Sequence, residues 1–368
     1  MRFHRTMWFA VAACSLAGRA AASGSPPPQS VAAAVALATD LAKASGIDGQ
    51  ARFAAQADAL AAIPPEWVVP CLDALRGATP AGANWLRSGL ERAADRGGDA
   101  LPAEQLAAVA RDHARPPRAR GLAYVWLKAR QPQTAESLLA AMLDDPALEL
   151  RREAVDKLLA SATARDDAAQ KAIHRQALTA ARDIDQIERI AGWLAEHGDP
   201  VDLAATLGFV RRWLVSPAFD NKQGAGFAKT YPPESPAPDT AGWKPVVSTD
   251  KHGGVDLNAA VATDKGVLAY ALATVEMPVA GAAEVRIGSP CAVQVWVNGQ
   301  PVMQHEIYHA SEAIDQYVAT ADFRVGANTV LVKCCQNEQT EAWAADWKFQ
   351  LRICDRLGTP LATQRDPQ

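Results

Sequence analysis

The chain has 368 residues, 49% of them hydrophobic and 21% charged, which is enough for two domains of ordinary size that each bury a core. A formal net charge of -4 and a pI near 6.0, with no long Lys/Arg run, exclude a broad electrostatic grip on nucleic acid or anionic lipid. Past the first residues, no segment reaches the roughly 18 apolar residues that a membrane span requires.

In chain order, the start reads as an export signal. "MRFHR" is a short positive n-region, "TMWFAVAACSLAG" an apolar h-region, and "RAAAS" supplies the small residues of a cleavage site. Cleavage after Ala22 makes residues 1–22 a signal peptide and places the protein in the periplasm, the cell envelope or outside the cell. "VAAC" gives a competing reading as a lipobox, with Cys14 as an N-terminal lipid anchor.

Residues 30–207 read as helix throughout. In "IDQIERIAGWLAEHGDP", Ile187, Ile190, Ala191 and Leu194 recur at helical spacing, Asp185 is placed to cap the start, and Gly198 with Pro200 ends the segment. In "DDPALELRREAVDKLLAS", Leu150, Ala154 and Leu158 line one stripe that Val155 and Leu159 widen. Proline-marked turns separate such helices, which bury their apolar faces by stacking on neighbours. "LLAAMLDDPALELRREAVDKLL" resembles a HEAT-type repeat, with Asp144-Asp145-Pro146 as the turn and Arg151 and Ala154-Val155 on the second helix. The resemblance implies an irregular α-solenoid; an ordinary globular helical domain is the alternative.

After Leu207 the period changes. "TYPPESPAPDTAGW" is Pro-rich and aperiodic, and the runs "AEVRIGS", "AVQVWVN", "NTVLVKC" and "WKFQLRI" alternate or carry β-branched residues. Turn signals at Asn298-Gly299 and Gly326-Ala327-Asn328 punctuate them. Short strands at this spacing predict an antiparallel β-sandwich or jelly roll over 208–361, with 362–368 as a flexible tail. "VQVWVNGQPV", then "VGANTVLVKC" and "WKFQLRICDRLGTPL", resembles the galactose-binding-like jelly roll appended to many secreted bacterial proteins. That resemblance implies the fold and leaves open whether the ligand is a sugar or a protein, or whether the module is structural. The fold class is thus α and β in separate domains.

Six cysteines are too scattered for a disulfide framework. If Cys334 lay opposite Phe349 in a final hairpin, Cys354 would be roughly 16 Å along the ladder, too far for a bridge. Buried free thiols are the expectation.

"HEIYH" fits the zincin pattern, in which two histidines on one helical face hold zinc and the glutamate activates water. That reading needs residues 301–317 to be one helix, with His305, His309 and Glu338 or Glu341 as ligands. The neighbouring "VWVNGQPVMQ" instead predicts strand, Asn-Gly turn and strand, with His305 at the strand end and His309 in the loop beyond. "GAGFAKT" lacks the residues of a phosphate loop, and no nucleophile elbow or assignable carboxylate pair is present. No catalytic residue is assigned.

Two loops are rich in aromatic and amide residues: Tyr308, His309, Asp315, Gln316 and Tyr317 in one, and Gln336, Asn337, Gln339, Trp343 and Trp347 in the other. Sugar sites need this mixture, a flat ring for the apolar pyranose face and planar polar groups for its hydroxyls. The candidate ligand residues are Tyr308, His309, Asp315, Gln316, Asn337, Trp343 and Trp347. Trp296 and at least one of Trp343 and Trp347 are expected in the core, and the acidic and amide residues around 315 and 337 also suit a structural calcium. The resulting expectation is an exported, non-catalytic binding or scaffolding protein. Its partners are a glycan or an envelope protein, with no nucleic acid and no membrane span. Zinc enters only with the hydrolase alternative.

Overall fold

The computed structural model describes residues 25–235 and 237–364. The signal segment 1–22, the candidate anchor Cys14 and residues 365–368 of the expected tail lie outside them. The chain divides into two compact units, one ending at Ala140 and the other beginning at Ala141.

The first unit is helical: α1 (Val31–Leu41), α2 (Gln50–Ala61), α3 (Val68–Cys71), α4 (Pro80–Gly97), α5 (Ala103–Arg111), α6 (Pro117–Arg130) and α7 (Pro132–Leu138). Ser30 and Thr79 cap α1 and α4, their hydroxyls accepting from Ala33 N at 3.2 Å and Gly82 N at 2.9 Å. Pro80 occupies the first turn of α4, where its missing N–H costs no helical hydrogen bond. The α4 start runs so close to the end of α1 that a Cβ on Gly82 would sit 2.1 Å from the Ala42 carbonyl oxygen. Only glycine fits there.

The second unit opens with α8 (Leu148–Ala160), α9 (Asp167–Ala180), α10 (Ile184–Glu196) and α11 (Leu203–Leu207). The HEAT-like segment therefore spans the division, its first helix in one unit and its second in the other. Ile187, Ile190, Ala191 and Leu194 of α10 are buried, and Gly198 takes the left-handed conformation just past its end. Asp185 is not the cap: α10 begins at Ile184, and the Asp185 carboxylate in its first turn pairs with Arg152 at 2.6 and 2.8 Å.

The strands are β1 (Arg212–Val215), β2 (Phe219–Asp220), β3 (Lys244–Val247), β4 (Val255–Asp256), β5 (Val267–Met277), β6 (Gly281–Gly288), β7 (Ala292–Val297), β8 (Gln300–His305), β9 (Tyr317–Phe323), β10 (Gly326–Cys335) and β11 (Lys348–Cys354). One antiparallel sheet has the order β3-β1-β5-β10-β7-β8, with β2 also paired to β5; the other has the order β4-β11-β6-β9. Their facing side chains fill one cluster, including Val275 and Val332 from the larger sheet and Ile287, Phe349 and Leu351 from the smaller. The β7–β8 turn is the Asn-Gly hairpin read from sequence, with positive φ at both Asn298 and Gly299.

The final hairpin does not exist. β10 pairs with β5 and β7 while β11 pairs with β6 and β4, so Cys334 lies opposite Ala269 and Val293 and not opposite Phe349. Cys71, Cys291, Cys334, Cys335 and Cys354 are all buried and unbridged.

The end of α11 reaches the outer face of the smaller sheet, and the connection after α9 meets the loop that follows β11. Arg352 of β11 donates to the Leu207 carbonyl at 3.2 Å, Arg182 Nε donates to Thr359 Oγ1 at 2.9 Å, and Phe209 packs with the helical core.

Candidate functional site

At one end of the two sheets three connections meet: residues 221–224 after β2, residues 306–316 between β8 and β9, and residues 336–347 between β10 and β11. Asn221 joins them. It is fully buried, and its Nδ2 donates to the Gln336 carbonyl at 2.9 Å and to Tyr308 Oη at 3.2 Å. Gln223 has a left-handed φ of 57°, and its N–H donates to the Glu338 carboxylate. Burial pushes the Tyr308 phenol up to about 12, so it is neutral at physiological pH. Sequence reasoning missed Asn221 and Gln223; the only signal was turn composition in "DNKQGAG".

The two aromatic and amide-rich loops do come together. His309, also left-handed with φ 58°, donates from Nε2 to Asn337 Oδ1 at 2.9 Å. The same oxygen accepts from Gln339 N at 3.1 Å, and Asn337 Nδ2 donates to Gln339 Oε1 at 3.0 Å. The His309 ring stands edge-on to Trp343, centroids 5.1 Å apart and planes at 78°. Trp343 is 65% exposed. An indole held at the surface by a ring that is itself pinned by an amide is a preorganised apolar plate.

The other expected ligand residues are structural. Trp347 is wholly buried in the inter-sheet cluster and donates from Nε1 to the Cys334 carbonyl at 3.1 Å. Gln316 Oε1 accepts from Ser289 N at 3.1 Å. Asp315 lies between Arg286 and Arg352, accepting from Arg286 Nη1 and Arg352 Nε at 2.7 Å each. Burial alone would raise its carboxyl, but the two guanidinium groups outweigh that and hold it below the usual carboxylate range. With its oxygens taken by two cations, Asp315 does not fit a calcium site. Trp296 is only half-buried; it packs on the outer face of the larger sheet and not between the sheets.

The helix required for a zincin site is not formed. Residues Gln300–His305 are strand β8, the His305 ring stacks on Tyr317 at 3.9 Å, and His309 turns to Asn337. The Glu338 carboxylate is engaged by the Gln223 N–H. Among the described residues, no group of three or more His, Cys, Asp and Glu is arranged to hold a metal ion, and no helix is long and apolar enough to cross a membrane.

No family model matches the chain, and no curated protein matches it. Among solved structures it is similar to a GH31 alpha-xylosidase from Xanthomonas citri, at 14% identity over 30% of this chain and 14% of that one, with a TM-score of 0.19. A likeness of that size carries no argument about fold or function.

Proposed function

We propose that the chain is an exported, non-catalytic binding protein: the strand-rich part is a galactose-binding-like jelly roll that contacts a glycan through the loop cluster around Trp343, and HEAT-like helices contact protein of the envelope. The jelly-roll reading is supported by the connectivity, since β4, β5, β6, β7, β9, β10 and β11 alternate between the two sheets. The binding reading rests on one observation, the exposed Trp343 indole buttressed by His309 and Asn337. An indole of this size left in water contributes little to folding and is suited to stacking on the apolar face of a pyranose.

The test is calorimetric titration of the purified protein with a panel of neutral and acidic oligosaccharides, beside Trp343→Ala. Binding by the parent with at least about a tenfold loss in the variant supports the loop site. Equal binding by both proteins rules out this location. Binding of envelope proteins with no response to any sugar replaces the glycan with a protein ligand.

A further inference from the structure

A second polar and aromatic surface lies away from the loop cluster, on the outer face of the larger sheet at its β7–β8 edge. Gln294 and Gln304 face each other across the ladder, and Trp296 is opposite Pro301 two residues along β7. Alternation puts Gln294 and Trp296 on the same face of β7, the face opposite to buried Val293, Val295 and Val297. The result is an indole beside a pair of amides.

This edge is not buried in the same way by residues 227–234, which lie over β10. There the Lys333 ammonium is fully buried and donates to the carbonyls of Phe227 and Lys229 at 2.8 Å each and to Glu234 at 2.9 Å. Gln294, its register neighbour, is half-buried, and Gln304 is exposed. Among the described residues no hydrogen-bond partner holds the side-chain amides of Gln294 and Gln304 or the Trp296 indole N–H. That contrasts with the loop cluster, where Asn337 and Gln339 spend their amides on each other.

A recess of about 350 Å³ opens here, lined by Gln294, Trp296, Pro301, Val302, Met303 and Gln304. Every lining residue is uncharged, which selects a neutral ligand. The edge is also a poor template for an added peptide strand: Pro301 lacks an N–H, and the register shifts between Val295 and Trp296. An apolar ring beside open donors and acceptors on one sheet face instead matches a pyranose, apolar on its face and polar at its rim. An open strand edge that carries an indole and two amides along one face suits the extended ribbon of a β-1,4-linked chain better than the coil of an α-1,4-linked one.

We propose that the β7–β8 face is a binding site for a neutral β-1,4-linked glycan, with Trp296 stacking on a sugar ring and Gln294 and Gln304 hydrogen-bonding its hydroxyls. The proposal shares the glycan class of the function above but not its site, and either one can fail alone.

The experiment is calorimetric titration of the full protein with cellohexaose, xylohexaose, mannohexaose and maltohexaose. The proteins compared are the parent, Trp296→Ala, Gln304→Ala and Trp343→Ala. Because Trp296 is half-buried, unfolding curves are recorded for each, and Gln304→Ala, at an exposed position, keeps the test valid if Trp296→Ala does not fold. The expected result is parent binding to at least one β-1,4-linked hexasaccharide. Trp296→Ala should weaken it at least about tenfold, and Gln304→Ala by about threefold to tenfold, the worth of one hydrogen bond. Loss in these two variants with binding kept in Trp343→Ala supports this site and removes the loop site. Loss in all three supports both sites. Loss only in Trp343→Ala overturns this proposal and leaves the loop reading standing, whereas parent binding to maltohexaose alone, or to none of the four, overturns it outright.

Discussion

Arg286 and Arg352 sit directly opposite each other in the β6–β11 ladder on the outer face of the smaller sheet. Two like charges in register are destabilising, and Asp315, from the loop before β9, resolves the conflict by accepting from both guanidinium groups. Glu284 adds a second carboxylate, 2.7 Å from Arg286. Arg352 in turn reaches the Leu207 carbonyl at the end of α11, so the same charge cluster fastens the last helix to the sheet.

Removing Asp315 therefore leaves the buried Arg352 without a carboxylate partner and the part-buried Arg286 with Glu284 alone. Asp315→Ala is expected to lower unfolding stability by about 3 kcal/mol, as loss of one partner of a buried pair does. Urea titration checks this. A change below about 0.5 kcal/mol would mean Glu284 alone balances the pair.

The same carboxyl sets an acid dependence. Its folded pKa is below the unfolded value of about 3.9, so its contribution is fully present above the unfolded value and is lost as pH falls through the folded one. Urea midpoints measured from pH 6 down to pH 2 should fall more steeply in the parent than in Asp315→Asn. Parallel curves would assign the acid loss to other carboxylates.

The two tryptophans of the 336–347 connection should behave oppositely. Trp347→Ala removes a fully buried ring and its hydrogen bond to the Cys334 carbonyl, and is expected to cost about 3–5 kcal/mol. Trp343→Ala should change stability by less than about 0.5 kcal/mol, as an exposed substitution does. Thermal unfolding of both variants decides between these roles, and comparable losses would place Trp343 in the packing as well.

The fully buried Lys333 ammonium pairs with Glu234 of the Pro-rich segment, and Tyr270 donates to the same carboxylate. Glu234→Ala is expected to cost about 3–5 kcal/mol by leaving the ammonium unpaired, and adding Lys333→Met to that variant should recover most of it. Denaturant unfolding of the single and double variants measures the recovery. If the double variant is no more stable than Glu234→Ala, the unpaired charge is not the source of the loss.

Buried thiols should be inert. Desolvation pushes Cys71 up to about 12 and Cys354 up to about 11 and raises Cys335 further still. A thiol-reactive chromogenic disulfide should modify these three only after denaturant is added. Rapid labelling of the native protein at pH 8 would show that the strands around them open.

The sequence alone determined the change from helix to strand near residue 207, the α10 stripe and its glycine stop, the Asn-Gly hairpin, and the strands at β6, β7, β10 and β11. Each of these is a local signal: a period, a cap or a turn whose backbone needs particular residues. Strand β5 escaped because "VLAYALATVEM" is buried on both faces in the middle of its sheet, which leaves no polar alternation to read. The roles of the loop residues were not local at all. Asp315, Trp343 and Trp347 were alike in sequence as candidates for one ligand site. Only the tertiary fold set Asp315 between two arginines from different strands, put one indole in the core and left the other in water, because a side chain's work depends on partners that the chain brings together from far along its length.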